Sequence, residues 1–312
     1  MSLNSSGATT MLTLPPFSFP LSARVPALVF SALTYLTIIC CNLMVVVTIA
    51  INHNLHKPMY MLLINLPVCD VMGATAFFPQ MISSMLYDPR VIPYWACVTQ
   101  ALFVHTYGAG SLLILTAMAL DRYVAICQPL SYNTIMTNSN LIKMISAVWL
   151  TGLILLSISF LLLLRLKNCS SEINDMYCTY PSLMKLACGD TNVSNFYGLF
   201  TIAFFQGVSL SAVLFTYLKI LITCVFKNQS DARSKAIQTC GAHIIVFLFM
   251  LLNAFIALLS HRIASVPTFV RRVLGVSVMI FPPLLNPLIY GFNTKDIRRN
   301  ILAFPKKKTS AF

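Results

Sequence analysis

The sequence predicts an all-α membrane protein, a seven-transmembrane helix bundle with a short amphipathic helix after the last span. Three observations predict it. The 312-residue chain is 58% hydrophobic and only 9% charged, with a mean hydropathy of +0.80, whereas a soluble domain carries about 25% charged residues. Seven stretches each supply the roughly 20 apolar residues that a helix needs to cross a bilayer core about 30 Å thick. Lipid offers no partner for backbone N–H and C=O groups, so these stretches must be helices.

Residues 1–25 read as an extracellular segment without the basic start and compact apolar run of a cleavable leader. The transmembrane body, 26–291, holds spans over 26–51, 58–83, 97–120, 141–164, 197–225, 237–260 and 268–291. The first span carries Asn42 and the second carries Asp70, an acid that costs roughly 2.5–3.5 kcal/mol on insertion scales and must face the bundle interior. Its available polar partners are Asn42, Ser111 and Asn286. Pro67, Pro79, Pro282, Pro283 and Pro287 are expected as kinks. The third span ends in MALDRYVAIC, where Asp121 and Arg122 follow more than twenty uncharged residues. Gly108-Ala109-Gly110 reads as a small-residue packing face. After the seventh span, residues 292–312 form a cytoplasmic tail. Thr294 or Asn293 caps a helix there, Ile297, Ile301 and Phe304 form its apolar stripe, and Lys306, Lys307 and Lys308 face anionic lipid.

With the N-terminus outside, thirteen of the twenty-one Lys and Arg residues fall on inner loops and the tail, among them Lys57, Arg122, Lys143 and Arg298, and eight fall outside. The positive-inside rule favours that orientation. It also places the sequons at Asn4, Asn168 and Asn192 outside, with a fourth triplet at Asn228 inside. Of ten cysteines, Cys97, Cys169, Cys178 and Cys188 lie on the oxidising side. Four cysteines allow three pairings, and spacing does not choose among them. The other six sit in or near the membrane as small packing residues. The basic balance points to an inner membrane surface and an inside partner, with no nucleic acid.

DRY after the third span, Asp70 in the second and Asn286-Pro287-Leu288-Ile289-Tyr290 in the seventh resemble the rhodopsin-like G-protein-coupled receptors. Finer matches resemble the odorant (olfactory) receptor family: Pro58-Met59-Tyr60, MALDRYVAICQPLSY, Lys235-Ala236-Ile237-Gln238-Thr239-Cys240, the loop CTYPSLMKLACGDT and PPLLNPLIYGF. The resemblance covers nearly the whole chain and implies disulfides Cys97–Cys178 and Cys169–Cys188. It implies a switch and G-protein surface at Asp121, Arg122, Tyr123, Tyr217, Lys235, Asn286, Pro287 and Tyr290, with Arg122 held near Asp121 at rest. A stimulatory heterotrimeric G protein raising cyclic AMP, and a plasma-membrane location, follow from the same resemblance.

Ligand contacts are implied at Val104, His105, Gly108, Ala109, Thr201, Ile202, Phe205, Gln206, Ala254, Phe255, Leu258, Arg262 and Met279, a mostly apolar set suited to a small odorant. His105 and Arg262 together would suit an anionic ligand; the alternative is a neutral His105 and an Arg262 that reaches water or headgroups. Asp70 with Ser111 resembles a receptor sodium site, the alternative being a water-filled polar pocket. No other cofactor is expected. The chain departs from the family pattern at Ser111 (an acid in many relatives), at Met250-Leu251-Leu252 (FYG in the family) and at Cys41-Asn42 (Gly-Asn). Val104 stands where amine receptors carry an acid, and Ile280 where opsins carry the retinal lysine. No catalytic constellation is present in the sequence, so an enzyme is not expected. The rival readings are a non-olfactory chemoreceptor, or a transporter or channel, the latter weakened by the lack of inverted repeats.

Overall fold

A computed structural model describes residues 11–15, 21–87, 90–226, 230–260, 263, 265–292 and 294–309. Among the described residues, seven helices are long and apolar enough to cross a bilayer. They occupy Leu21–Ile51, Pro58–Leu86, Tyr94–Cys127, Asn138–Leu164, Asn192–Phe226, Ser230–Ser260 and Thr268–Asn286. Most extend beyond the expected limits by up to several residues, because helix continues into the interfacial layers. MALDRYVAIC is helical throughout as a result, with the helix closing at Cys127. The two ends of the bundle differ in their contents and take their names from them, the disulfide end and the Arg122 end.

Proline shapes two spans. The second is interrupted at Ile64, so that Pro58–Leu63 and Asn65–Leu86 are separate helical segments. Pro67 has no N–H to give to the Leu63 carbonyl, which weakens the ladder at that point. Pro79, by contrast, sits within continuous helix. The seventh span contains Pro282 and Pro283 and passes at Pro287 into a π-helical turn over Pro287–Phe292. Pro287 frees the carbonyl of Pro283, four residues back, and Asn42 Nδ2 of the first span donates to it at 2.9 Å. A carbonyl left unpaired in hydrocarbon costs several kcal/mol, so Asn42 serves the seventh span's bend. Replacing Asn42 with Leu is expected to lower the thermal midpoint of the purified protein, at a cost of about 1–3 kcal/mol for the orphaned carbonyl; an unchanged midpoint would refute that role.

The third span is the most enclosed of the seven and packs against the second, fourth, fifth and sixth. The main core fills the middle, with Phe77, Phe78, Tyr107, Leu115 and Phe247 fully buried. Large apolar side chains such as Phe30, Leu36, Ile142 and Leu161 point outward to where lipid would lie.

A second, smaller core lies at the disulfide end. Strand β1 (Met11–Thr13) pairs antiparallel with β2 (Val91–Pro93), and Thr13 also exchanges backbone hydrogen bonds with the 171–173 segment. Leu12, Ile92, Ile173 and Leu183 are buried together around Cys97 and Cys178. The part of the expected N-terminal segment that is described is therefore built into the fold. A further hairpin joins β3 (Lys167–Asn168) to β4 (Ala187–Cys188). At the other end, the helix Lys295–Thr309 buries Ile297, and Tyr60 Oη donates to Asp296 Oδ2 at 3.0 Å. Phe304 and the three terminal lysines have side chains outside the described part.

Candidate ligand cavity, polar core and switch

Cys97 bonds to Cys178 and Cys169 to Cys188, with Cα separations of 5.3 and 5.5 Å. The first bond ties the top of the third span to the loop before the fifth, and this loop forms a roof. Cys178 N–H donates to Gln100 Oε1 (2.8 Å), Tyr180 Oη to the Ser194 carbonyl (2.8 Å) and Tyr177 Oη to the Gly275 carbonyl (3.2 Å). Burial, with Asp175 nearby, pushes the Tyr177 phenol well up, so it remains a donor. Thr179 and Ser182 form a reciprocal capping box that starts the short helix Tyr180–Met184.

Beneath the roof is a cavity of about 160 Å³, in the size class of protein cavities of about 150 Å³ that admit a benzene-sized molecule. Its walls include Val104, His105, Gly108 and Ala109 from the third span, and Thr201, Ile202, Phe205 and Gln206 from the fifth. Ala254 and Leu258 of the sixth and Met279 of the seventh complete the expected set. Phe255 does not belong: it is 46% exposed on the outer face of the sixth span, one residue round the helix from Ala254. Arg262 and Asn4 lie outside the described residues. The sequence reading missed the contributions of the fourth span, Ser159 and Phe160, and of the roof, Tyr177 and Tyr180. A signal for the roof was present, since residues flanking a cysteine tied to Cys97 must lie over the third span.

Polar groups in the wall are mostly spent. Thr201 donates to Tyr197 O (2.9 Å), Ser159 donates to Leu155 O (3.1 Å), and the two hydroxyls lie 3.3 Å apart. His105 Nε2 accepts from the Tyr180 N–H at 3.1 Å. That bond requires an unprotonated Nε2, hence a neutral ring, so His105 does not present positive charge in this arrangement. The Gln206 amide has no hydrogen-bond partner among the described residues and offers both a donor and an acceptor.

Below the cavity, Asp70 is fully buried, and Asn286 Nδ2 donates to both its oxygens (3.1 and 2.9 Å). Asn42 turns its amide nitrogen to Ile38 O and Pro283 O. Among the described residues, Asn42 Oδ1 and Asn286 Oδ1 are buried without a hydrogen-bond partner, and Ser111 Oγ has no oxygen or nitrogen partner. This all-oxygen set beside one carboxylate fits a monovalent cation or ordered water.

At the Arg122 end, the hydrogen bond accepted by Asp121 comes from Tyr132 Oη at 2.8 Å, rather than from Arg122. Asp121 is 1% exposed. Burial first, and then the Asp121 carboxylate, push the Tyr132 phenol up, which keeps it a donor. Tyr123 packs its ring 5.8 Å from Phe215. Tyr217 Oη meets His243 Nδ1 at 2.6 Å, joining the fifth and sixth spans, and the His243 ring lies 6.2 Å from that of Tyr290. His243 was not singled out from the sequence, although a histidine in an otherwise uncharged apolar span needs a partner. Pro287 opens the π-helical turn that carries Tyr290. The Lys235 side chain lies outside the described part.

The profile of the olfactory receptor family matches residues 30–308. Human olfactory receptor 52J3 is 34% identical over 277 residues, covering 88% of each chain. Human olfactory receptor 51I1 is 35% identical over 287 residues, 89% of each chain. Human olfactory receptor 4K3 is 33% identical over 300 residues, 96% of this chain and 94% of its own. These are receptors and not enzymes, and they agree with a multi-pass membrane protein of seven spans. The chain belongs to the olfactory receptor family of G-protein-coupled receptors.

Proposed function

We propose that this chain sits in the plasma membrane with its disulfide end outside, and that it binds a small, neutral, mainly apolar odorant in the cavity under the roof. Binding favours an arrangement in which the Arg122 end opens to a heterotrimeric G protein of the stimulatory class, raising cyclic AMP. The observation that carries the reading is the cavity itself, enclosed by the third, fifth, sixth and seventh spans at the end opposite Asp121 and Arg122. An anionic ligand is disfavoured by the neutral geometry of His105. The free Gln206 amide suits one carbonyl or hydroxyl group on an otherwise apolar molecule. A ligand shifts such an equilibrium only by its differential affinity for the two arrangements.

Cyclic AMP in cells expressing the chain with a stimulatory olfactory-type G protein tests this, using a panel of small neutral odorants, acids and amines. Neutral members are expected to elicit a response that Arg122→Ala abolishes at equal surface level. A response retained in Arg122→Ala, or a ligand-gated current without any G protein, would contradict the coupling.

The orphaned oxygens of the polar core support a sodium ion or water there. Bound sodium would neutralise Asp70 and tie it to Ser111, Asn42 and Asn286. Replacing Na⁺ with N-methylglucamine is then expected to lower the thermal midpoint of the wild type and leave Asp70→Asn unmoved; an equal effect on both would rule out sodium at Asp70.

A further inference from the structure

Tyr107, on the third span, is fully buried and is neither in the cavity wall nor on the G-protein surface. Its ring fills the space left by Gly73: a Cβ on Gly73 would lie 2.5 Å from Tyr107 Cγ. Its hydroxyl donates to the Val278 carbonyl at 3.2 Å and lies 4.0 Å from Met250 Sδ. Val278 precedes Pro282 by four residues, so its carbonyl is one that Pro282 deprives of a helical donor. The side chain that fills the gap in the seventh span's hydrogen-bond ladder at this level is thus supplied by the third span.

Two neighbours of that hydroxyl, Met250 and Val278, also line the ligand cavity, together with Met279. On the other side of the same ring lies the second span, one turn along from Asp70. Tyr107 therefore touches the second, sixth and seventh spans at once, between the cavity and the polar core. Anything that displaces Met250 or Val278 from the cavity side must lengthen or redirect the Tyr107–Val278 bond, because a close-packed interior has no slack to absorb it. The bond's loss would leave the Val278 carbonyl unpaired at the bend, which then relaxes.

We propose that Tyr107 is the positioning residue that couples occupancy of the cavity to the bend of the seventh span, through its hydrogen bond to the carbonyl freed by Pro282. The proposal rests on the receptor reading for what the movement signals, but not for the movement itself.

The test is a distance distribution between spin labels on non-natural residues at Leu130, which is 99% exposed at the Arg122 end, and at Leu302, exposed on the helix that follows the seventh span, on the full chain in lipid nanodiscs without ligand. Tyr107→Phe keeps the ring and removes the donor. It is expected to shift the population about fivefold away from the wild-type distance, the factor that one ordinary hydrogen bond is worth. Gly73→Ala, which pushes the ring out of its recess, is expected to shift it the same way. Tyr35→Phe deletes a tyrosine bond between two other spans, from the first to Thr75 Oγ1 of the second at 3.3 Å, away from the cavity, and is expected to leave the distribution unmoved. Filling the cavity with Gly108→Phe should move the wild-type distribution and fail to move that of Tyr107→Phe. A wild-type distribution in both Tyr107→Phe and Gly73→Ala would overturn the proposal, as would equal shifts in Tyr35→Phe, or shifts of Gly108→Phe and Tyr107→Phe that simply add. Cyclic AMP recorded in parallel separates the two claims: a flat signal in every chain with the distance shifts intact would sink the G-protein reading and still support the coupling.

Discussion

Replacing Cys178 with Ser is expected to remove nearly all of this receptor from the cell surface and to cost more stability than loss of the other disulfide or of any single hydrogen bond in the bundle. The Cys97–Cys178 bond closes a separation of 81 residues. A chain-entropy estimate for a loop of that length is about 4.5 kcal/mol, a large share of the roughly 5–15 kcal/mol by which folded proteins are stable. The loss does not stop at entropy. Cys178 anchors the segment whose Tyr177 and Tyr180 bridge to the seventh and fifth spans and whose amide occupies Gln100. Freed from the third span, the roof would expose Leu12, Ile92, Ile173 and Leu183, the small core at that end. Cys188→Ser breaks a bond of separation 19, for which the same estimate is about 3 kcal/mol, and that bond joins two residues at the edge of the loop. Surface labelling and thermal unfolding of both variants should rank Cys178→Ser as the more damaging. Equal or reversed damage would mean that the roof does not depend on the longer link.

The helix count was legible because lipid imposes a length and a composition on every span, and seven stretches met both. Asp70, Asn286 and Asn42 were legible as a group for a similar reason, since buried polar residues in an apolar chain must find one another. Their pairings were not. The donor to the Pro283 carbonyl comes from Asn42, 241 residues away in sequence, and spacing to a proline identifies a freed carbonyl without naming the side chain that will fill it. The same holds for Val278 and Tyr107. Strand β1 carried no periodic signal because it is three residues long, and its partners are loops brought together by the bundle beneath them. The family resemblance implies Arg122 near Asp121 but does not name the hydrogen-bond partner of Asp121. Neighbours on a helix point about 100° apart, and Asp121 instead turns toward Tyr132 on the loop that follows. Phe255 was misplaced by the same geometry, one position being enough to turn a side chain from the cavity to the lipid.

The second large effect is expected at Gly108. A Cβ placed there meets nothing within 4 Å, so a side chain can leave the backbone without a clash at its first atom. It would project into a cavity of about 160 Å³, which a phenyl ring would largely fill. Gly108→Phe should therefore fold and reach the surface while excluding the odorant. Because the cavity is the core of the proposed function, this substitution separates a receptor whose ligand binds there from one whose ligand binds elsewhere. The decisive measurement is the cyclic AMP dose–response of wild type and Gly108→Phe, at matched surface density, to the most potent neutral odorant in the panel. The agonist-dependent rise in Gly108→Phe is expected to be lost or displaced by at least about 100-fold in concentration, the factor for about 2.7 kcal/mol of binding, whatever its ligand-free level. A Gly108→Phe curve that overlays the wild type would contradict it, because the ligand would then act from somewhere other than this cavity.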